Sequence, residues 1–276
     1  MSLKCLILLL LSFFILSCSS DNDVNIDYSL RSDSVLYNEA LIALKKKEYL
    51  LAHELFTELD LQHPYSKWAT KGQLMSGFAL YKNNKYDEAI FTLNKFINLN
   101  PNNPDLDYAY YLKGYCYFER INQVTRDQKY ARNAYNSFIE LNNKFPKSKY
   151  LQKSKKHIIL LNNQLAGKEM SIGKFYQTKG NFLSGLLRYK YILKNYKKSA
   201  QIPEALYRII ECYLSLGLKN PAIRFTKILS YNFSTTEWYA DAQLLMKKHS
   251  ISLSKDYEKD KSLDFDNIDS EEFNSF

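Results

Sequence analysis

The sequence predicts an all-α chain, an α-solenoid of about five stacked helix pairs, and three observations carry that reading. Only eight Gly and six Pro occur in 276 residues, too few for a strand architecture, which takes turn residues every 8–12 positions or so. Composition is ordinary for a globular chain, 46% hydrophobic and 24% charged, so there is apolar material for a sizeable core. A pattern of small, aromatic and Pro positions also recurs through the body, and recurrence at a fixed period marks a stack of like units.

Residues 1–17 come first. One positive charge, Lys4, precedes an apolar run from Cys5 to Leu16 broken only by Ser12, with a small-residue exit at Ser17. The run is too short to span a bilayer and has the layout of a secretory signal. Ile15-Leu16-Ser17-Cys18 then resembles the bacterial lipobox, in which an aliphatic residue stands three places before an acylated Cys and a small residue directly before it. Cys18 becomes the lipidated N-terminus in this reading, and several acyl chains together make a stable anchor. Residues 18–33, with Asp21, Asn22, Asp23 and Asn25, read as a polar, flexible tether. Ser19, in place of Asp after the Cys, resembles lipoproteins that travel on to the outer membrane.

The body, residues 34–250, follows. Its first repeat has Ala40 in one helix, then Tyr49, Ala52, Phe56, Leu59 and Pro64. The second has Gly77, Leu80, Tyr86, Ala89, Leu93, Phe96 and Pro101, so that Ala52 to Ala89 and Pro64 to Pro101 are both separated by 37 residues. A third uses Gly114 and Tyr117, then Ala134, Phe138, Leu141 and Pro146, with extra residues around Gln123 to Gln128. The fourth has Gly173, Tyr176, Phe182, Gly185, Tyr189 and Ile192, with Lys197 where Pro is usual, and the fifth runs from Pro203 through Tyr213, Gly217, Ala222 and Leu229. Small residues let two helix backbones approach, flanking aromatics fill the space beside them, and Pro stops the second helix. No pair buries its apolar face alone, so neighbours must stack. The spacing resembles the tetratricopeptide repeat. The repeats divide into an N-terminal set, 34–150, and a C-terminal set, 151–250.

The last stretch, 251–276, is acidic, with three Lys against eight Asp and Glu from Lys255 onward, and reads as a disordered tail. Net charge is +9. With that tail, the acidic 21–33 stretch and Lys4 set aside, residues 34–254 carry about +16, a surface suited to nucleic acid, anionic lipid or acidic protein; the secretory signal removes nucleic acid. Once Cys5 leaves and Cys18 is acylated, Cys116 and Cys212 remain, each within a helical apolar pattern, and read as buried free thiols.

The linkers are more specific than the repeats. His63-Pro64-Tyr65-Ser66, Leu99-Asn100-Pro101-Asn102-Asn103-Pro104 leading into Asp107-Tyr108-Ala109, Arg126-Asp127 followed by Ala131 and Phe138, and Pro146-Lys147-Ser148-Lys149-Tyr150 together resemble the BamD family, lipoprotein subunits of the outer-membrane β-barrel assembly machinery. The resemblance covers the mature chain to about Tyr231. It implies a periplasmic adaptor on the outer membrane, whose N-terminal repeats bind unfolded outer-membrane proteins through a targeting strand ending in an aromatic residue. Its C-terminal repeats dock the barrel-forming subunit and its periplasmic domains, beside other assembly lipoproteins. Matching Lys179-Gly180-Asn181-Phe182 carries the family's subunit-docking Arg onto Arg188. For the substrate end the aromatics Tyr65, Trp68, Tyr81, Tyr108 and Tyr111 are the candidates, since rings give large contact area at low entropic cost.

No catalytic constellation stands out, and neither metal nor cofactor is implied. His53, His63, His157 and His249 lie too far apart for a local zinc motif, no glycine-rich phosphate loop occurs, and Ser171 has no nucleophile elbow around it. Glu140, Glu169 and Glu204 are single helix-borne carboxylates. Two rivals to the adaptor stay open: a tetratricopeptide lipoprotein coordinating cell-wall synthesis or division, which lacks a reason for the linkers, and a wall-cleaving hydrolase.

Overall fold

The structure, a computed structural model, describes residues 31–252 and 261–265. The signal segment 1–17, Cys18, most of the tether and the remainder of the acidic tail lie outside the described residues. Among the described residues there are eleven α-helices, one 3-10 turn and no strand, so the chain is all-α.

The helices fall into five consecutive antiparallel pairs and one extra helix. Pair one is α1 (Asp33–Lys45) and α2 (Tyr49–Gln62); pair two is α3 (Lys67–Lys82) and α4 (Tyr86–Leu99); pair three is α5 (Leu106–Phe118) and α6 (Lys129–Lys144). Pair four is α7 (Leu151–Thr178) and α8 (Phe182–Asn195), pair five α9 (Ile202–Ser215) and α10 (Lys219–Phe233), and α11 (Glu237–Lys248) closes the stack against α9 and α10. Each helix packs on its neighbours in sequence, and first helices also touch across pairs, α1 on α3, α3 on α5 and α9 on α11. The first helices therefore form a layer of their own. α7, at 28 residues, packs on α6 with one part and pairs with α8 along another, so the boundary expected at residue 150 is a turn and not a break in packing.

The small residues sit where two helices come closest. Ala52, Ala89, Ala134 and Ala222 are fully buried. A Cβ on Gly114 would stand 2.9 Å from the Phe138 ring, and one on Gly173 would collide with the ring of Tyr189. Tyr189 has no room to retreat, being fully buried with its hydroxyl donating to Gln177 Oε1 at 2.8 Å.

Turns within pairs are tight because one residue adopts a left-handed backbone. Lys47 and Asn84 have φ of 64° and 60°, and Gly180 and Gly217 have 77°; Gly takes that region without a steric penalty. Pair three departs from this rule. Its loop after α5 is held by the buried Gln128, whose Nε2 donates to the carbonyls of Gln123, Val124 and Arg126 at 2.9, 3.3 and 3.1 Å. Gln164 and Lys168 on α7 donate to Asn122 O and Thr125 O, so the insertion is pinned to the following pair.

Turns between pairs share another device. Ser66 Oγ donates to Asp33 and accepts the Trp68 N–H, Ser148 Oγ donates to Asp107 and accepts the Tyr150 N–H, and Ser199 Oγ donates to Asn163 and accepts the Gln201 N–H. Ser66 is the N-cap of its helix, Ser148 and Ser199 stand two residues ahead of theirs, and each Ser ties the start of a first helix to an earlier one.

Within the stretch 251–276, most of which lies outside the described residues, residues 261–265 are packed: Leu263 and Phe265 are buried at 2% and 5% exposure and belong to the main core. Two apolar side chains two residues apart give this short piece something to bury, which the charged residues around it lack.

Candidate partner-binding surfaces

Three of the five predicted aromatics meet at one site. Tyr81 from α3, Tyr108 and Tyr111 from α5, and Lys153, Lys156, His157 and Leu160 from α7 line a cleft of about 530 Å³ with Leu112 and Tyr115. All of its lining comes from first helices, so the cleft lies on their layer. Tyr81 meets Tyr115 edge-on at 5.7 Å, Tyr111 stacks on Tyr150 at 4.9 Å and 16°, and Tyr108 packs on Tyr150 at 5.4 Å. Beneath them His157 stacks on Phe138 at 5.1 Å and 12°. The rings hold one another, so little freedom remains to be lost on binding.

Polarity in the cleft is arranged to match. Burial pushes the Tyr108 hydroxyl well above its usual range and that of Tyr115 up to about 12, so both stay neutral donors. His157 is held below the ordinary histidine value by burial, and its buried Nδ1 has no hydrogen-bond partner in the protein. The exposed Lys153 and Lys156 then supply positive charge at the rim.

The other two aromatics lie elsewhere. Tyr65 is fully exposed in the turn between α2 and α3. Trp68 is half-buried, its ring 4.7 Å from Tyr37 and flanked by the ammonium groups of Lys67 and Lys71 at 5.5 and 5.3 Å. Sequence reasoning missed Tyr115, His157 and the two lysines; Tyr115 follows Tyr111 by one helical turn, a signal that was legible, whereas α7 could not be placed beside α5 from spacing alone.

Arg188 lies on a different surface. Its guanidinium pairs with Glu169 at 3.0 Å, and it lines a shallow cleft of about 320 Å³ with Tyr176, Ser184, Leu187 and Tyr191. Leu183, Leu187 and Tyr191, four residues apart along α8, are 57%, 60% and 44% exposed. A stripe of that kind beside an Arg matches the composition of protein interfaces.

The single carboxylates are engaged in ion pairs: Glu140 with Lys144 and Lys113, Glu169 with Arg188, and Glu204 with Lys174 and Arg208. Cys116 and Cys212 are free and buried, and burial lifts both thiols to about 12, far from a reactive thiolate. Among the described residues no helix is long and apolar enough to cross a membrane.

A family model described as an outer membrane lipoprotein, YfiO, matches residues 30–229. An outer membrane protein assembly factor BamD from Caulobacter vibrioides is 38% identical over 224 residues, covering 81% of this chain and 73% of its own. A protein of the same name from Rickettsia prowazekii is 38% identical over 242 residues, covering 88% of this chain and 96% of its own. One from Neisseria meningitidis is 29% identical over 252 residues, covering 87% and 94%.

Proposed function

Because the chain belongs to the YfiO family of outer membrane lipoproteins, we propose that it is a lipid-anchored adaptor, not an enzyme, in the assembly of outer-membrane β-barrel proteins. Cys18 tethers it to the periplasmic face of the outer membrane. The cleft on the first-helix layer receives unfolded outer-membrane proteins, and the α8 stripe around Arg188 docks the barrel-forming subunit through its periplasmic domains, with other assembly lipoproteins alongside.

The observation that carries this reading is the meeting of Tyr81, Tyr108 and Tyr111 with Lys153 and Lys156 in one cleft. A strand that ends in an aromatic residue offers a ring and a free carboxylate together. The tyrosines take the ring by edge and face contacts, and the rim lysines attract the carboxylate, which a binder of internal segments would have no use for. The Trp68 cluster, on the helices that start at Asp33 and Lys67, offers an additional contact to the rest of an extended segment.

A fluorescent peptide ending in Phe with a free carboxylate tests the cleft. The Lys153→Glu, Lys156→Glu double variant binds it at least fivefold more weakly by anisotropy. Amidating the peptide C-terminus produces the same loss on the parent protein and little further loss on the variant. Equal affinity of parent and variant for the free-carboxylate peptide removes the cleft as the substrate site.

A further inference from the structure

The packed turn of the tail is held in an unusual way. Lys261–Leu263 forms a single 3-10 turn, and the backbone that follows is gripped by one side chain of α10. Asn232 Nδ2 donates to the Leu263 carbonyl at 2.7 Å, and Asn232 Oδ1 accepts the Phe265 N–H at 3.0 Å. The same Nδ2 donates back to Ile228 O at 2.9 Å within α10, which fixes the amide plane before anything binds. A side-chain amide presenting one donor and one acceptor to a carbonyl and an N–H two residues apart reads a peptide main chain whatever its side chains.

Selectivity comes from what surrounds the clamp. Phe265 meets Phe233 edge-on at 6.4 Å and lies 6.0 Å beneath the Lys197 ammonium. Leu263 lines a cleft of about 300 Å³ with Asn220, Ile223, Arg224 and Lys227. Lys197, Arg224 and Lys227 make the surroundings of the segment basic, and the residue between Leu263 and Phe265 is the acidic Asp264. Main-chain hydrogen bonds that give affinity and side-chain contacts that give specificity are the two parts of peptide recognition.

We propose that the α10 face centred on Asn232 is a peptide-docking groove for a Leu-acidic-aromatic segment, and that residues 261–265 are its tethered ligand, displaced when a partner polypeptide with that pattern arrives. Burying two side chains gains about as much as ordering a short segment costs, so the docked tail exchanges with a released one and the groove is competable. This surface is separate from the tyrosine cleft and from the α8 stripe.

The experiment uses the full chain and a fluorescein-labelled peptide of residues 260–267. The Leu263→Ala, Phe265→Ala double variant, whose own tail no longer fills the groove, binds the peptide at least tenfold more tightly than the parent. Adding Asn232→Ala to that variant weakens binding at least tenfold. Equal binding by parent and double variant, or binding by neither, overturns the proposal. Hydrogen exchange on the unsubstituted chain decides independently of how the variants fold: the Phe265 amide is protected and loses protection when unlabelled peptide is added, whereas exchange at the unprotected rate, or protection the peptide leaves unchanged, also overturns it.

Discussion

The tyrosine cleft and the α8 stripe are built from similar residue types and differ in how those residues are held. In the cleft the rings are locked by one another and by Phe138 beneath them. On α8, Leu183, Leu187 and Tyr191 stand out from a single helix, and Arg188 is tied to Glu169. A locked surface suits a flexible ligand, because the protein gives up little entropy while the ligand gives up much. An unshaped stripe needs a folded partner that brings its own complementary surface, with the Arg setting register.

The largest expected effect comes from unlocking the cleft. Phe138 is fully buried, so Phe138→Ala costs about 3–5 kcal/mol, read as a lower urea midpoint, and takes with it the affinity for a Phe-terminated peptide. Retained peptide affinity in a destabilised but folded variant would show that the cleft is not shaped by its floor. On α8 the opposite behaviour is expected. Arg188→Glu lowers capture of the barrel-forming subunit at least tenfold, about 1.4 kcal/mol, and Leu187→Ser does the same while leaving the Glu169 pair intact. Unfolding of Leu187→Ser stays at the parent midpoint within about 0.5 kcal/mol, because an exposed side chain contributes little. Unchanged co-purification by both variants would end the docking role.

The smallest effect concerns pH. Burial lowers the His157 pKa in the folded chain, so as pH falls below about 6.5 the unfolded chain takes up the proton first. The contribution of a neutral His157 is therefore complete above that value and is lost as pH falls through the folded value. His157→Phe keeps the ring stack on Phe138 and removes the titration. Its stability declines less steeply below about pH 6.5 than that of the parent, whereas parallel profiles would assign the decline to other groups, His53 among them, whose pKa burial also lowers.

The two surfaces were unequally legible. Arg188 was reached through a local match to Lys179-Gly180-Asn181-Phe182, and the exposed stripe beside it follows from four-residue spacing on one helix. The cleft was half legible: three tyrosines were named, yet nothing in their spacing separated them from Tyr65 and Trp68, which the fold holds apart from them. The packing of Leu263 and Phe265 was not legible, because composition averages over a segment and two well-placed side chains do not change the average.

By itself the sequence determined the helix pairs. Ala52 and Ala89, like Gly77 and Gly114, repeat at 37 residues, and these, with Ala134 and Gly173, are small residues at contacts between helices a short distance apart along the chain. Only the tertiary structure decided which pairs share a surface: that α7 brings His157 and two lysines to tyrosines on α3 and α5, and that Asn232 grips a turn some thirty residues further on. Spacing fixes a helix and its immediate neighbour, because 3.6 residues per turn makes faces readable. Contacts between distant pairs depend on how each pair is rotated on the last, a sum over many packed side chains that no single residue records.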